Sequence, residues 1–293
     1  KIFTGSSPAQ PYLNYALFSI IAHTPEGAEI HDSINKNNII DLDFSVFDLS
    51  ALEDKFIPIE KFTSLSSLKL DFKIFEEFNK GAKNINRENW FANNNISKLD
   101  VDVSGSLQWM KNFTHLKSLN FRFGYYPINH IESFEFLENL EELSLKNFNY
   151  QQVFKNLDFL KKSKKIKKFS LDVKTSYDAT EKLENIDIIK NFTELTDLEI
   201  TGIYGELSLD FLLSCKKIKN LKLKMSNSKH HTNIFELLNN CSALETLNIE
   251  GIDSYNIKGK VLNINGLNGL PNLKNFSLNK VNISTSDNSI FIN

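Results

Sequence analysis

The chain has 293 residues, 41% hydrophobic and 24% charged, with a formal net charge of −2. That composition is too apolar for a disordered chain, and the near-neutral charge points to neither nucleic acid nor an anionic membrane surface. No segment reaches the roughly 18 consecutive apolar residues that a membrane-spanning helix needs.

The chain opens on Lys1 with no leader-type segment, as expected of a processed or trimmed product. Residues 11–22 (PYLNYALFSIIA) are apolar, and residues 1–36 as a whole are expected to form a helical cap over the open end of a core. From residue 37 to 285 a single pattern governs the chain. An apolar residue is followed by two residues, an apolar one, a polar one and an apolar one. This occurs ten times, at 39–44 (IIDLDF), 65–70 (LSSLKL), 96–101 (ISKLDV), 116–121 (LKSLNF) and 140–145 (LEELSL), then at 166–171 (IKKFSL), 195–200 (LTDLEI), 218–223 (IKNLKL), 244–249 (LETLNI) and 273–278 (LKNFSL). The starts are 26, 31, 20, 24, 26, 29, 23, 26 and 29 residues apart. Residues 286–293, with the apolar run 290–292, read as a tail or a capping strand.

Within each motif the fourth and sixth positions are apolar and their neighbours polar, the alternation of a half-buried strand. Before most motifs lies an apolar pattern of helical spacing, as in residues 186–195 (IDIIKNFTEL) and 209–218 (LDFLLSCKKI). Each repeat therefore reads as a strand, a turn and a helix or helical turn. No such unit buries its own apolar edge, but ten stacked units build a continuous core. At these residues the chain resembles the leucine-rich-repeat family. The resemblance implies an α/β solenoid, curved as an arc or horseshoe, with a parallel sheet on the concave face and helices or helical turns on the convex face. It also implies a non-catalytic binding module. The family's usual Asn or Cys at the ninth position is absent, so no Asn ladder is expected here.

Cys215 and Cys241 each sit three residues before a motif, in a slot held elsewhere by Phe62, Phe113, Leu137, Phe192 and Leu270. They read as core fillers, neither catalytic nor disulfide-bonded. The six histidines show no zinc spacing, and no phosphate-binding glycine loop is present, so neither metal, cofactor nor enzymatic activity is expected. Cysteines in core slots favour an intracellular chain, with secretion or surface exposure the alternative for a processed one. Two lysine clusters, at 161–168 (KKSKKIKK) and at Lys216, Lys217, Lys219, Lys222 and Lys224, are interrupted by Asp197 and Glu199, which argues against a nucleic-acid stripe.

The third, fifth and seventh motif positions make a polar face of mixed charge, on which Arg122, Lys146 and Asp172 are candidate selectivity residues. Tyr125, Tyr126, Tyr150, Tyr177, Tyr204 and Tyr255 fall nine to eleven residues after a motif start. They are expected in loops along one rim, either as partner anchors or as a roof over the core edge. The reading is a protein-binding module. The alternatives are the recognition domain of a larger multidomain protein (an effector, receptor or ligase) and, more distantly, a nucleic-acid binder.

Overall fold

The computed structural model describes residues 40–43, 63–70, 95–106, 108–129, 137–148, 157–173, 185–203, 208–225, 234–251, 262–280 and 283–284. The expected N-terminal cap and C-terminal tail lie outside these residues. The chain divides into two compact units, Lys1–Asn139 and Leu140–Asn293.

Unit 1 holds four strands, β1 (Asp41–Asp43), β2 (Ser67–Leu70), β3 (Lys98–Ser106) and β4 (Ser118–Asn129). Each is parallel to the next, with the motifs in phase: Leu68 faces Leu99, which faces Leu119. Unit 2 holds β5 (Glu142–Phe148), β6 (Lys168–Val173), β7 (Asp197–Ile203), β8 (Asn220–Met225), β9 (Thr246–Gly251) and β11 (Asn275–Asn279), again parallel and in chain order. A second small sheet pairs β10 (Leu262–Asn263) with β12 (Ile283–Ser284), also parallel. Ten parallel strands, one per motif, make the fold a leucine-rich-repeat solenoid.

The alternation in the sequence decides which side of the sheet is dry. Leu198, Ile200, Leu221, Leu223, Leu247 and Ile249 are all buried, whereas the residues between them are exposed or half-buried. The opposite wall of the core comes from the segment before each strand. Among the described residues most of its helical turns are 3-10 rather than α: Gln108–Asn112, Asp158–Leu160, Ile186–Asn191, Asp210–Ser214 and Leu267–Gly269, with one short α-helix, α1 (Ile234–Leu238). The reason is length. A repeat of 20–31 residues leaves few for the return path, and a 3-10 turn rises about 2.0 Å per residue against 1.5 Å for an α-helix.

The slot three residues before each motif is the pivot of this return. The amide of Phe192 donates to the carbonyl of Ile189 (3.0 Å), and the carbonyl of Phe192 accepts from Leu195 (3.0 Å). The same pair of bonds recurs at Phe113, Cys215, Cys241 and Leu270. The side chain at the pivot turns inward, and Phe113, Leu137, Phe192, Cys215, Cys241 and Leu270 are all buried. The start of each strand is then tied to the repeat before it. The amides of Lys167 and Lys168 share the carbonyl of Glu141, those of Thr196 and Asp197 share that of Lys167, and those of Lys219 and Asn220 share that of Thr196. Backbone groups thus set the stacking register within each unit.

Among the described pivots, one residue breaks the apolar ladder. Ser163 is only 1% exposed, and its hydroxyl has no hydrogen-bond partner. A buried hydroxyl left unsatisfied carries an uncompensated desolvation cost. Ser163→Ala should therefore stabilise the protein by about 1 kcal/mol, read as a higher denaturation midpoint at unchanged m-value. A lower midpoint would show that the hydroxyl is bonded in solution.

Candidate functional site

The two thiols lie deep in unit 2. Cys215 donates to the carbonyl of Phe211 (3.3 Å) and Cys241 to that of Leu212 (3.6 Å), and both are free. Burial pushes their pKa values up, to about 12 for Cys215 and about 11 for Cys241. A nucleophilic cysteine needs the opposite shift, since the thiolate is the reacting species. Among the described residues, no group of three or more His, Cys, Asp or Glu side chains is placed to hold a metal ion. No described helix is long and apolar enough to cross a membrane.

Among the described residues, the surface that remains is the outer face of the sheet. Its charged side chains are engaged laterally, strand to strand. In unit 1, Arg122 on β4 spreads its guanidinium over two carboxylates of β3, with Nε on Asp102 and Nη2 3.3 Å from Asp100. Lys69 reaches Asp43 at 3.2 Å. In unit 2, Lys168 meets Glu142 (2.6 Å), Lys222 meets Glu199 (2.6 Å) and Lys224 meets Glu250 (2.8 Å). The hydroxyl of Thr201 donates to Asp172 (2.8 Å), and the Asn220 amide to Asp197 (2.7 Å).

These contacts shift the titrations in the directions their chemistry requires. The hydrogen bond that Lys168 donates to Glu142 raises the Lys168 pKa, and the bond from Lys224 lowers that of Glu250. A raised lysine contributes stability that is lost as pH climbs through its folded pKa. A lowered glutamate contributes stability that is lost as pH falls through its own. The pairs are therefore intact across the neutral range.

The three face residues singled out in the sequence differ in what they offer. Arg122 is committed to Asp100 and Asp102, and Asp172 accepts from Thr201. Lys146 is exposed and has no hydrogen bond or ion pair among the described residues. It sits where the register between β5 and β6 shifts, after Leu145–Leu171 and before Phe148–Val173. A bulge of this kind re-aims side chains out of the ladder. That removes Lys146 from the strand position opposite Asp172.

Tyr125 and Tyr126 are not in a loop, as their offset had suggested. Their backbone belongs to β4, which runs on to Asn129. The register between β3 and β4 jumps from Val103–Phe123 to Gly105–Ile128. Four residues (Gly124, Tyr125, Tyr126 and Pro127) thus stand against the single residue Ser104. Tyr150, Tyr177, Tyr204 and Tyr255 lie outside the described residues.

Sequence reasoning missed a pair of acceptors in unit 1. Asp100 and Asn120 are partners in the β3–β4 register, and the Oδ1 atom of each is shielded from water; that of Asp100 lies 3.3 Å from the Arg122 guanidinium, whereas that of Asn120 has no hydrogen bond. The signal was present: both hold the fifth position of adjacent motifs, one of the columns that face outward.

No family model matches the chain, and no curated protein sequence does. Similar folds occur among solved structures. Internalin C2 of Listeria monocytogenes is 17% identical over 69% of this chain and 77% of its own, with a TM-score of 0.43. A leucine-rich-repeat protein of Leptospira interrogans is 14% identical over 86% of this chain and 69% of its own, with a TM-score of 0.43. TLR13, solved as a complex with ssRNA13, is 16% identical over 86% of this chain and 42% of its own, with a TM-score of 0.46.

Proposed function

We propose that this chain is a non-catalytic protein-binding module that meets its partner through the outer sheet face and the tyrosine-bearing segments at the strand ends. The observation that carries this reading is the β3–β4 register jump, which takes Tyr125 and Tyr126 out of one-to-one pairing beside a polar face. Packing alone is served by Phe, used 24 times in this chain. Tyrosine at the end of a strand suits a ring with one wet edge, and such rings are enriched at protein interfaces. The exposed Lys146 adds a cation that a partner's carboxylate would satisfy. Arg122 and Asp172, held in place by their neighbours, would supply fixed charges for selectivity. The same surface serves equally as the recognition part of a longer multidomain protein. Lateral pairing of Lys168, Lys222 and Lys224 leaves no continuous basic stripe for nucleic acid, the third reading.

The test begins with affinity capture from native lysate and mass spectrometry, followed by single replacement of Tyr126, Tyr150 and Tyr204 by Ala. A hot-spot tyrosine should cost about 2 kcal/mol of binding, roughly 30-fold in Kd, with melting unchanged. Lowered melting with intact affinity for all three would make the tyrosines structural and return the search to the polar face. A salt-dependent shift with RNA or DNA and no captured protein would favour the third reading instead.

A further inference from the structure

Compared repeat by repeat, the charges on the sheet face and on the turn leading into each strand change sign from the third repeat to the tenth. In unit 2 the fifth repeat brings Glu141 and Glu142 into its strand, and only Lys146, at the bulge, opposes them. The sixth brings Lys164, Lys165, Lys167 and Lys168, with Asp172 at the far end. The seventh brings Glu194, Asp197 and Glu199, and residues 193–201 contain no cation. The eighth has five lysines between 216 and 224 and no acid. The ninth has Glu245 and Glu250 without a cation in 242–250, and the tenth has Lys274 and Lys280 without an acid in 271–280. Unit 1 keeps the order less strictly, from Asp41 and Asp43 through Lys69, which Asp71 offsets, to Asp100 and Asp102 (with Lys98) and on to Lys117 and Arg122.

The geometry uses this alternation. Lys167 reaches back to Glu141 (2.6 Å) and Lys217 to Glu194 (2.7 Å), while Glu245 is met by Lys274 from the following repeat (2.7 Å). Lys219, from the preceding repeat, also acts on Glu245 through space. The apolar side of the stack holds no comparable information. Leu198, Leu221 and Leu247 occupy the same buried position in three successive repeats, so this column of the core does not tell one repeat from the next.

We infer that the alternating charge of successive repeats is an ordering code, by which each strand admits a neighbour of opposite sign and rejects one of its own sign. A single exposed ion pair is worth little. The discriminating power lies in the mismatch. Stacking a repeat on its second neighbour would bring lysine rows, or carboxylate rows, face to face, and like charges directly across a strand pair are destabilising. Parallel arrays close non-local contacts slowly and are exposed to mis-stacking while they do so. A sign change at each step penalises the commonest error, the skipped repeat, without a demand on the core.

The experiment uses the full chain and the row at the second motif position, where Lys219, Glu245 and Lys274 are consecutive and the neutral Thr196 of the seventh repeat separates them from Lys167 of the sixth. Glu245→Lys sets three lysines in line and should lower the melting temperature by about 2–4 °C at low ionic strength, with the loss shrinking in high salt. Inverting the row, K219E/E245K/K274E, should recover most of that loss. A second arm deletes residues 216–241, which places the acidic seventh repeat on the acidic ninth, or residues 193–241, which places the basic sixth on the acidic ninth. The longer deletion should melt higher at low salt although it removes more core. The inference fails if Glu245→Lys melts as the parent does, if the inverted row is no better than the single change, or if the longer deletion melts lower. Should either deletion not fold, the charge variants decide alone.

Discussion

Leu221→Asp should cost the protein roughly 3–5 kcal/mol at neutral pH, the largest effect expected of any face-to-core substitution in the array. Leu221 is the fourth residue of the eighth motif and 1% exposed. Leu198 of β7 and Leu247 of β9 flank it in register, and both are buried. Removing the side chain forfeits about 1.5–3 kcal/mol of apolar burial. The carboxylate adds a desolvation cost, because none of these neighbours offers it a donor. The new acid would take its proton up rather than ionise in such a place, so its folded pKa would be raised. Stability then falls as pH rises from the unfolded value of ~3.9 through the folded one, and the deficit should shrink when melts are run near pH 5. Leu221→Asn separates the contributions, since it keeps the volume and polarity and removes the titration. A melting temperature unchanged by Leu221→Asp would mean that the strand faces the other way.

Much of this fold could be read in the motif because a period of two leaves a strand only one way to lie once half its residues are apolar. The fourth and sixth positions, the register and the pivot slot follow from that, and Cys215 and Cys241 behave as the Phe and Leu they replace. Ser163 escaped notice because a motif tolerates an exception at one slot, and only burial shows its cost. The 3-10 turns were read as helix or helical turn because i, i+3 spacing suits both. The distinction comes from the shortness of the return path, not from the residues in it. The site was harder to see. Offsets counted from a motif start assume one residue per step, and the register jump after Val103 breaks that count before Tyr125. Lateral contacts such as Arg122 on Asp102 or Lys168 on Glu142 join residues 20 and 26 apart, so they are invisible along the chain. They appear when the motifs are aligned as columns, and the alternation of sign appears with them.

Gly202→Ala should destabilise the protein by about 2–4 kcal/mol, for two reasons that a second substitution can separate. Gly202 occupies β7 at φ +78°, in the left-handed region that costs an L-residue about 1–2 kcal/mol. It also stands where the β7–β8 register shifts, with Thr201 opposite Lys224, Ile203 opposite Met225, and Gly202 unopposed. A Cβ at this position would lie 2.0 Å from the carbonyl oxygen of Val173 and 3.0 Å from its carbonyl carbon. Both atoms are backbone of β6, held by the ladder, so relief requires moving a strand rather than rotating a side chain. Asparagine tolerates positive φ better than alanine does but carries the same Cβ. If the close approach to Val173 dominates, Gly202→Asn should lose as much stability as Gly202→Ala in denaturant melts. If backbone conformation dominates, Asn should recover half or more of the loss. Full stability in the alanine variant would show that β6 and β7 are not packed this closely in solution. The bulge would then have no steric reason to hold Thr201 against Asp172, the contact that fixes the Asp172 carboxylate on the outer face.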